Sequence, residues 1–404
     1  MNKLIDTIKS KKVKTPIGVL PYDWKVEKLG KFIKIYSGES PSKIKFKGEG
    51  IPYYKVDDLN QFDKYMGKSK LIADSHSIKK TVPKNSLIFP KRGAAILTNK
   101  VRILTQESYF DTNIMGVEVK EDEINLEFLY YYIVKRGLYK IADTSTIPQL
   151  NNKHIEPLLF PKPELKEQKK ISEVLSTWDK AIELKEKLIE QKKQQKKGLM
   201  QKLLTGEVRL PGYSGEWKKV KLGEILKERK ETGYTELELL AITSSKGVVK
   251  RTEVDIKDNS SEDKSKYKRI LPNDIGYNTM RMWQGVSGVS KYEGIVSPAY
   301  TILKPTNKVN SNFIGYLFKL PKIINLFRRY SQGLVSDTLN LKYENLKGIK
   351  VTIPQDVEEQ KKIAEILLSI DNEIEMLQEY VNYLKQQKKG LMQLLLTGKV
   401  RVKV

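Results

Sequence analysis

Two short runs carry side chains of the kind that read a base edge. One is Lys91-Arg92-Gly93; the other is Tyr277-Asn278-Thr279-Met280-Arg281-Met282-Trp283-Gln284-Gly285. Arg, Lys, Asn and Gln are the residues that make paired hydrogen bonds to guanine and adenine in the major groove. Each run follows an apolar stretch that reads as a strand, Ser86–Pro90 and Ile275–Asn278. Each also ends on glycine, so the polar side chains stand just past a strand end, held by a turn. Lys91, Arg92, Asn278, Arg281 and Gln284 are the candidate DNA-binding residues. The alternative for the arginines is a phosphate contact or a salt bridge within the fold. Tyr53, Tyr54 and Tyr65 belong to a duplex surface or to a core.

Other patterns suggest chemistry and fail on context. Phe46-Lys47-Gly48-Glu49-Gly50 fits a methyl-donor loop, but Pro52 stands where the following helix would start. Gly67-Lys68-Ser69 resembles the tail of a phosphate loop, yet Phe62 occupies the required first glycine. Asp111 with Glu118-Val119-Lys120 is a weak nuclease-like spacing in a chain that is 30% charged. His76 and His154 lack metal-ligand spacing, and there is no cysteine, which excludes disulfides and thiolate metal sites. The expected catalytic and metal residues are therefore none.

The elements that must position the readers come from a repeat. Glu167–Arg209 and Glu359–Arg401 align without a gap at an offset of 192 residues, with 25 of 43 positions identical. Such self-similarity makes the chain two tandem copies of one unit. The second copy places Ile363, Leu367, Ile370, Ile374, Leu377, Val381 and Leu384 at alternating steps of four and three. That is the seam of a coiled coil. The first copy keeps the register, with lysine interruptions, and neither contains proline. Each copy predicts one helix of about 35–40 residues, roughly 50–60 Å long, and the apolar stripe of each predicts pairing with the other. Gly198 and Gly390, inside both helices at the same repeat position, suggest close approach of another backbone.

Fainter repeats extend outward. Trp24-Lys25 and Lys28-Leu29-Gly30 match Trp217-Lys218 and Lys221-Leu222-Gly223, and Leu150-Asn151 matches Leu339-Asn340, which pairs His154 with Tyr343. Ile114–Val119 and Ala299–Leu303 also read as strands, Phe128–Val134 and Phe313–Lys319 as short helices, and residues 1–12 as a further helix.

The net charge is +25, and the excess sits almost equally on the two non-helical blocks, while the two long helices are near neutral and opposite in sign. A surplus so placed points to a polyanion, most often nucleic acid. The N-terminal residues contain no apolar run of signal-peptide type, and no stretch has the length of a membrane span. The expectation is a cytoplasmic protein with no membrane partner.

These features together resemble the specificity subunit of type I restriction–modification systems. The resemblance rests on the EQKKI starts at Glu167 and Glu359, the QQKKGLMQ…LLTG…VR ends at Gln194–Arg209 and Gln386–Arg401, and the Trp24 and Trp217 block starts. It implies an α+β chain with two pseudo-symmetric globular target-recognition domains separated by two long antiparallel coiled-coil helices. The boundaries would be 1–163 and 210–355 for the domains, and 164–209 and 356–404 for the helices. It further implies that each domain reads one half of a bipartite, asymmetric site on double-stranded DNA. The helices would set the spacer and dock two modification (methyltransferase) subunits and, through them, the restriction (motor-nuclease) subunits. S-adenosylmethionine, ATP and Mg would sit on those partners; this chain would hold no cofactor and catalyse nothing. Leu199, Met200, Leu203, Leu204, Leu391, Met392, Leu395 and Leu396 exceed what one seam needs and are the expected partner-binding residues. The rival readings are a non-specific nucleic-acid scaffold and a self-contained methylase or nuclease.

Overall fold

The computed structural model describes residues 5–6, 11–78, 80–244, 246–254, 260–336 and 338–404. The chain forms two compact units, one of residues 1–185 with 380–404, the other of residues 186–379. The division runs through both long helices, Leu165–Leu203 and Val357–Leu395, each 39 residues. Each unit therefore holds part of both.

In the first unit, a four-stranded antiparallel sheet runs in the order Ile33–Ser37, Ile114–Val119, Ser86–Pro90, Arg102–Ile103. Its alternating apolar side chains close over the helix Leu126–Arg136, whose face Phe128, Leu129 and Ile133 is fully buried. The second unit repeats the order with Leu226–Arg229, Tyr300–Pro305, Ile275–Asn278 and Ser287–Val289, and with the helix Ser311–Leu317. A two-stranded pair closes each frame: Lys25–Lys28 with Leu159–Lys162, and Trp217–Lys221 with Lys350–Pro354. The units diverge in their added strands. The first adds a sheet of Tyr109–Phe110, Phe46–Tyr54 and Leu71–Ala73; the second adds the pairs Leu240–Thr243 with Gly247–Lys250 and Lys268–Ile270 with Gly294–Val296.

The repeated EQKKI and VR motifs are clasps between a helix start and a chain segment 150 or 234 residues away. In the second unit, Arg209 donates to both carboxylate oxygens of the buried Glu359, at 2.7 and 2.9 Å. In the first, Arg401 donates to both oxygens of the buried Glu167, at 2.5 and 2.8 Å, and also to Asp23. That hydrogen bond holds the Asp23 carboxyl below its ordinary range. Paired guanidinium–carboxylate bonds fix orientation as well as distance. The adjacent glutamine ties the short helix down. Gln168 accepts the N–H of Asn125 at 2.8 Å, and Gln360 that of Asn310 at 2.8 Å. Asn125 and Asn310 in turn cap the short helices by accepting the N–H of Phe128 and Phe313, each at 3.0 Å.

Within each unit the two long helices run antiparallel. Lys196 reaches Asp371 in the second unit, and Lys388 reaches Asp179 in the first. The seam residues Ile363, Leu367 and Ile370 are buried in the second unit, and Ile182, Val381 and Leu384 in the first.

Four expectations change. The eight leucines and methionines near the helix ends are not an exposed surplus. Leu203 and Leu204 lie in the core of the second unit and Met392, Leu395 and Leu396 in that of the first; Leu199, Met200 and Leu391 pack against them. The globular blocks consume this surface, because each needs a helix end to complete its core. Gly198 and Gly390 are exposed, and a Cβ on either would meet nothing within 4 Å, so among the described residues no other backbone approaches them. Of the helix expected at residues 1–12, Ile5–Asp6 form instead a strand paired with Arg401–Val402, and Lys12 opens another; residues 1–4 and 7–10 lie outside the described residues. Finally, the outer repeat is offset by two positions from the expected alignment. Leu150 corresponds to Leu341, both fully buried, so His154 matches Asn345 and not Tyr343.

Candidate nucleic-acid interface

The two reading runs leave the same frame by the same hydrogen bond. The Leu150 N–H donates to Lys91 O at 2.8 Å, and the Leu341 N–H to Thr279 O at 2.9 Å. Beyond that bond each run turns through a glycine with positive φ, Gly93 at +75° and Gly285 at +78°. Glycine adopts these angles without strain.

In the first unit Arg92 is exposed and has no side-chain partner among the described residues. Its backbone bridges to Gln149. Lys91 is half-buried, 3.3 Å from Ser37 Oγ, and burial beside Arg92 lowers its pKa. Lys91 therefore serves the frame and Arg92 faces outward.

In the second unit Arg281 and Gln284 are exposed and carry no side-chain bond among the described residues. Asn278 is half-buried; its side chain accepts the Met280 N–H at 3.0 Å, leaving its amide nitrogen free to donate. The loop is held from behind. Trp283 Nε1 donates to Met280 O at 3.1 Å, Arg328 lies 6.0 Å from the Trp283 ring, and Tyr277 donates to Leu341 O at 3.0 Å. Lys319 donates to Gly285 O at 2.7 Å and Ser287 O at 2.8 Å. Burial, with Lys196 nearby, pushes the Lys319 ammonium down to about 8. Sequence reasoning missed Lys319. Its signal was a single lysine in the apolar run Phe313–Leu320.

The long helices reach these frames through tyrosine. Tyr316 donates to Asp371 at 2.7 Å, and Lys196 lies 5.1 Å from its ring. In the first unit Tyr131 donates to Asp179, with Lys388 5.3 Å from its ring. The first unit adds the buried Lys64, which donates to Glu127 at 2.9 Å and to Tyr131 at 2.8 Å. Burial lowers the Lys64 pKa, against the pull of Glu127.

The catalytic look-alikes have structural roles. Phe46 and Ile51 both pair with Ala73, so the glycine pattern is a bulge within the strand Phe46–Tyr54 and opens no helix. Gly67 O accepts from Tyr54 at 2.7 Å. Asp111 is buried, accepts the N–H groups of Asn113 and Val56, and has a raised pKa from burial. His154 accepts the Asn151 N–H at 3.1 Å. Among the described residues no group of three or more His, Cys, Asp or Glu is placed to hold a metal. No helix among them is long and apolar enough to cross a membrane.

Known proteins resemble this chain in sequence and in fold. The family described as "Type I restriction modification DNA specificity domain" matches twice, over residues 21–194 and 214–386. The type I restriction enzyme MjaVIII specificity subunit of Methanocaldococcus jannaschii is 28% identical, over 95% of this chain and 94% of that one. The putative MjaX specificity subunit of the same organism is 25% identical, over 96% of each. Among solved structures, the S subunit of a type I restriction–modification system from M. genitalium superposes with a TM-score of 0.56 at 17% identity, over 92% of this chain and 96% of that one. A chain from a structure of type I complex assembly and conformational transition gives 0.58 at 15% identity, over 94% and 99%. These two show a shared fold.

Proposed function

Because the chain belongs to the type I restriction modification DNA specificity family, we propose that each of its units reads one half of a bipartite, asymmetric duplex site. The observation that supports this most is one frame carrying two different readers. The anchoring bond from Leu150 or Leu341 is shared, whereas Lys91-Arg92-Gly93 and Thr279–Gly285 differ in length and chemistry. A protein that bound only the phosphate backbone would have no use for two unlike reading loops on one scaffold.

The long helices set the distance between half-sites and dock two methyltransferase subunits, and through these the motor-nuclease. The methyl donor, ATP and Mg belong to those partners, and this chain performs no transfer itself. Because Leu203, Leu204, Leu395 and Leu396 are buried, docking falls to the exposed helix faces. Two identical partners need the same surface twice. Leu184 and Met376, one repeat apart, are 53% and 62% exposed.

The test is methylation sequencing of the genome of a host that carries this chain with its methyltransferase partner. The expected result is one split site with unlike halves; a single contiguous target refutes the reading. Binding that falls equally for all duplexes as salt rises identifies the non-specific alternative.

A further inference from the structure

Beside each reading loop stands a second loop that the reading function has not used. In the first unit it spans Asp143–Gln149, closed by reciprocal backbone bonds between those residues at 3.0 and 2.9 Å. In the second, Gln332 and Asn340 close the corresponding loop with reciprocal bonds at 2.8 Å. Each loop leads directly into Leu150 or Leu341, the residue that anchors the reader. The sequences share almost nothing, yet both tips expose aliphatic side chains: Ile147 at 65%, Leu334 at 102% and Val335 at 61%.

Hydrogen bonds tie described residues of each loop. Asp143 accepts the Ser145 N–H at 3.0 Å and its hydroxyl at 2.8 Å. The Gly93 N–H donates to Pro148 O at 2.7 Å, which fixes Ile147 near the Arg92 loop. In the second unit, the Thr338 N–H donates to Val335 O at 3.0 Å. A single exposed leucine is ordinary on a protein surface. Exposed aliphatic side chains on the loop that enters the anchor residue in both units, next to exposed Arg92 and, through the Leu341 anchor, to the loop that bears Arg281, call for a partner. One or two side chains are far too small for a protein–protein interface. They match the aliphatic wedges that proteins press between base steps.

We propose that Ile147 in the first unit and Leu334 with Val335 in the second are wedges, each opening one base step in the half-site read by its own unit. This rests on the half-site reading above. It adds shape and deformability to direct readout, since the sequence at the opened step sets the cost of opening it. It also assists any partner that modifies a base, because such enzymes draw the base out of the stack.

The test uses the full chain assembled with its methyltransferase subunits and duplexes of the mapped site carrying 2-aminopurine at each half-site in turn. The unmodified complex is expected to brighten the probe in both halves. Ile147→Ser abolishes the signal in the first half alone, and Leu334→Ser with Val335→Ser in the second alone. Each weakens binding to the mapped site roughly ten- to a hundred-fold. Leu334→Met with Val335→Ile retains the signal. Unchanged brightness in the serine variants overturns the proposal. So does lost co-purification with the methyltransferase while any duplex signal persists, which would make the tips a protein contact. An unmodified complex that binds the mapped site no better than a scrambled duplex removes the half-site reading, and the wedges with it.

Discussion

Lys196 Nζ lies 2.6 Å from one oxygen of Asp371 and 2.7 Å from the other, one residue on each long helix. Adding the repeat offset of 192 to Lys196, and subtracting it from Asp371, gives Lys388 and Asp179, which are likewise bonded. Within each unit such a lysine–aspartate bond marks the antiparallel register of the two helix stretches it holds. Asp371 also accepts from Tyr316, so the pair belongs to a small network. A double-mutant cycle of Lys196→Met and Asp371→Asn is expected to show coupling of about 1 kcal/mol, measured by chemical denaturation. A value near zero would mean that the apolar seam alone sets the register.

Gly198→Ala and Gly390→Ala should each stabilise the isolated chain by about 1 kcal/mol, the ordinary helix-interior difference, because both sites face open space. Thermal unfolding checks this. No gain would mean that something yet to be placed lies against the glycines.

Arg281→Ala should relax one base position of the half-site read by the second unit, at a cost of about 1–3 kcal/mol. Binding to a panel of single-base variants decides it. An equal loss for every sequence would make Arg281 a phosphate contact.

Leu184→Lys with Met376→Lys should reduce co-purification with the methyltransferase subunit while leaving unfolding unchanged, since both side chains are exposed. Met200→Lys, by contrast, should destabilise the fold, because Met200 packs against the core of the second unit.

Lys319 predicts a pH dependence. Its folded pKa, about 8, lies below the ordinary lysine value. Between the two values the unfolded chain binds more protons than the folded one, so stability rises with pH across that window. Lys319→Met should reduce this rise, the remainder coming from Lys135, which burial also lowers to about 8. It should also loosen the 278–285 loop, since both carbonyl bonds to Gly285 and Ser287 are lost, seen as faster amide exchange there.

The seam was legible because it rests on spacing within one chain segment, whereas the clasps, which join residues 150 and 234 positions apart, were not. Heptad steps place Leu367 and Leu384 inside, and the Gly93 and Gly285 turns mark where the strands end. The fate of Leu203 and Leu395 was not legible. Whether an apolar residue past a seam meets a partner subunit or its own core depends on the folded shape of the globular part, which spacing along the helix does not carry. Lys319 was hidden for a similar reason: its targets are backbone carbonyls, which leave no mark in a sequence. The match of Leu150 with Leu341 could be fixed only by hydrogen bonds, because the loops before them differ in length.

The clasps also bear on ancestry. Arg209 could grip Glu167 as Arg401 does, and Lys196 could serve Asp179 as Lys388 does, since the paired segments share these residues at the same register. A polypeptide ending soon after Arg209 would therefore hold every part needed to close on a sister copy. Such a homodimer would read the same half-site twice, in opposite orientations, and duplication with fusion would then have let the two readers drift apart.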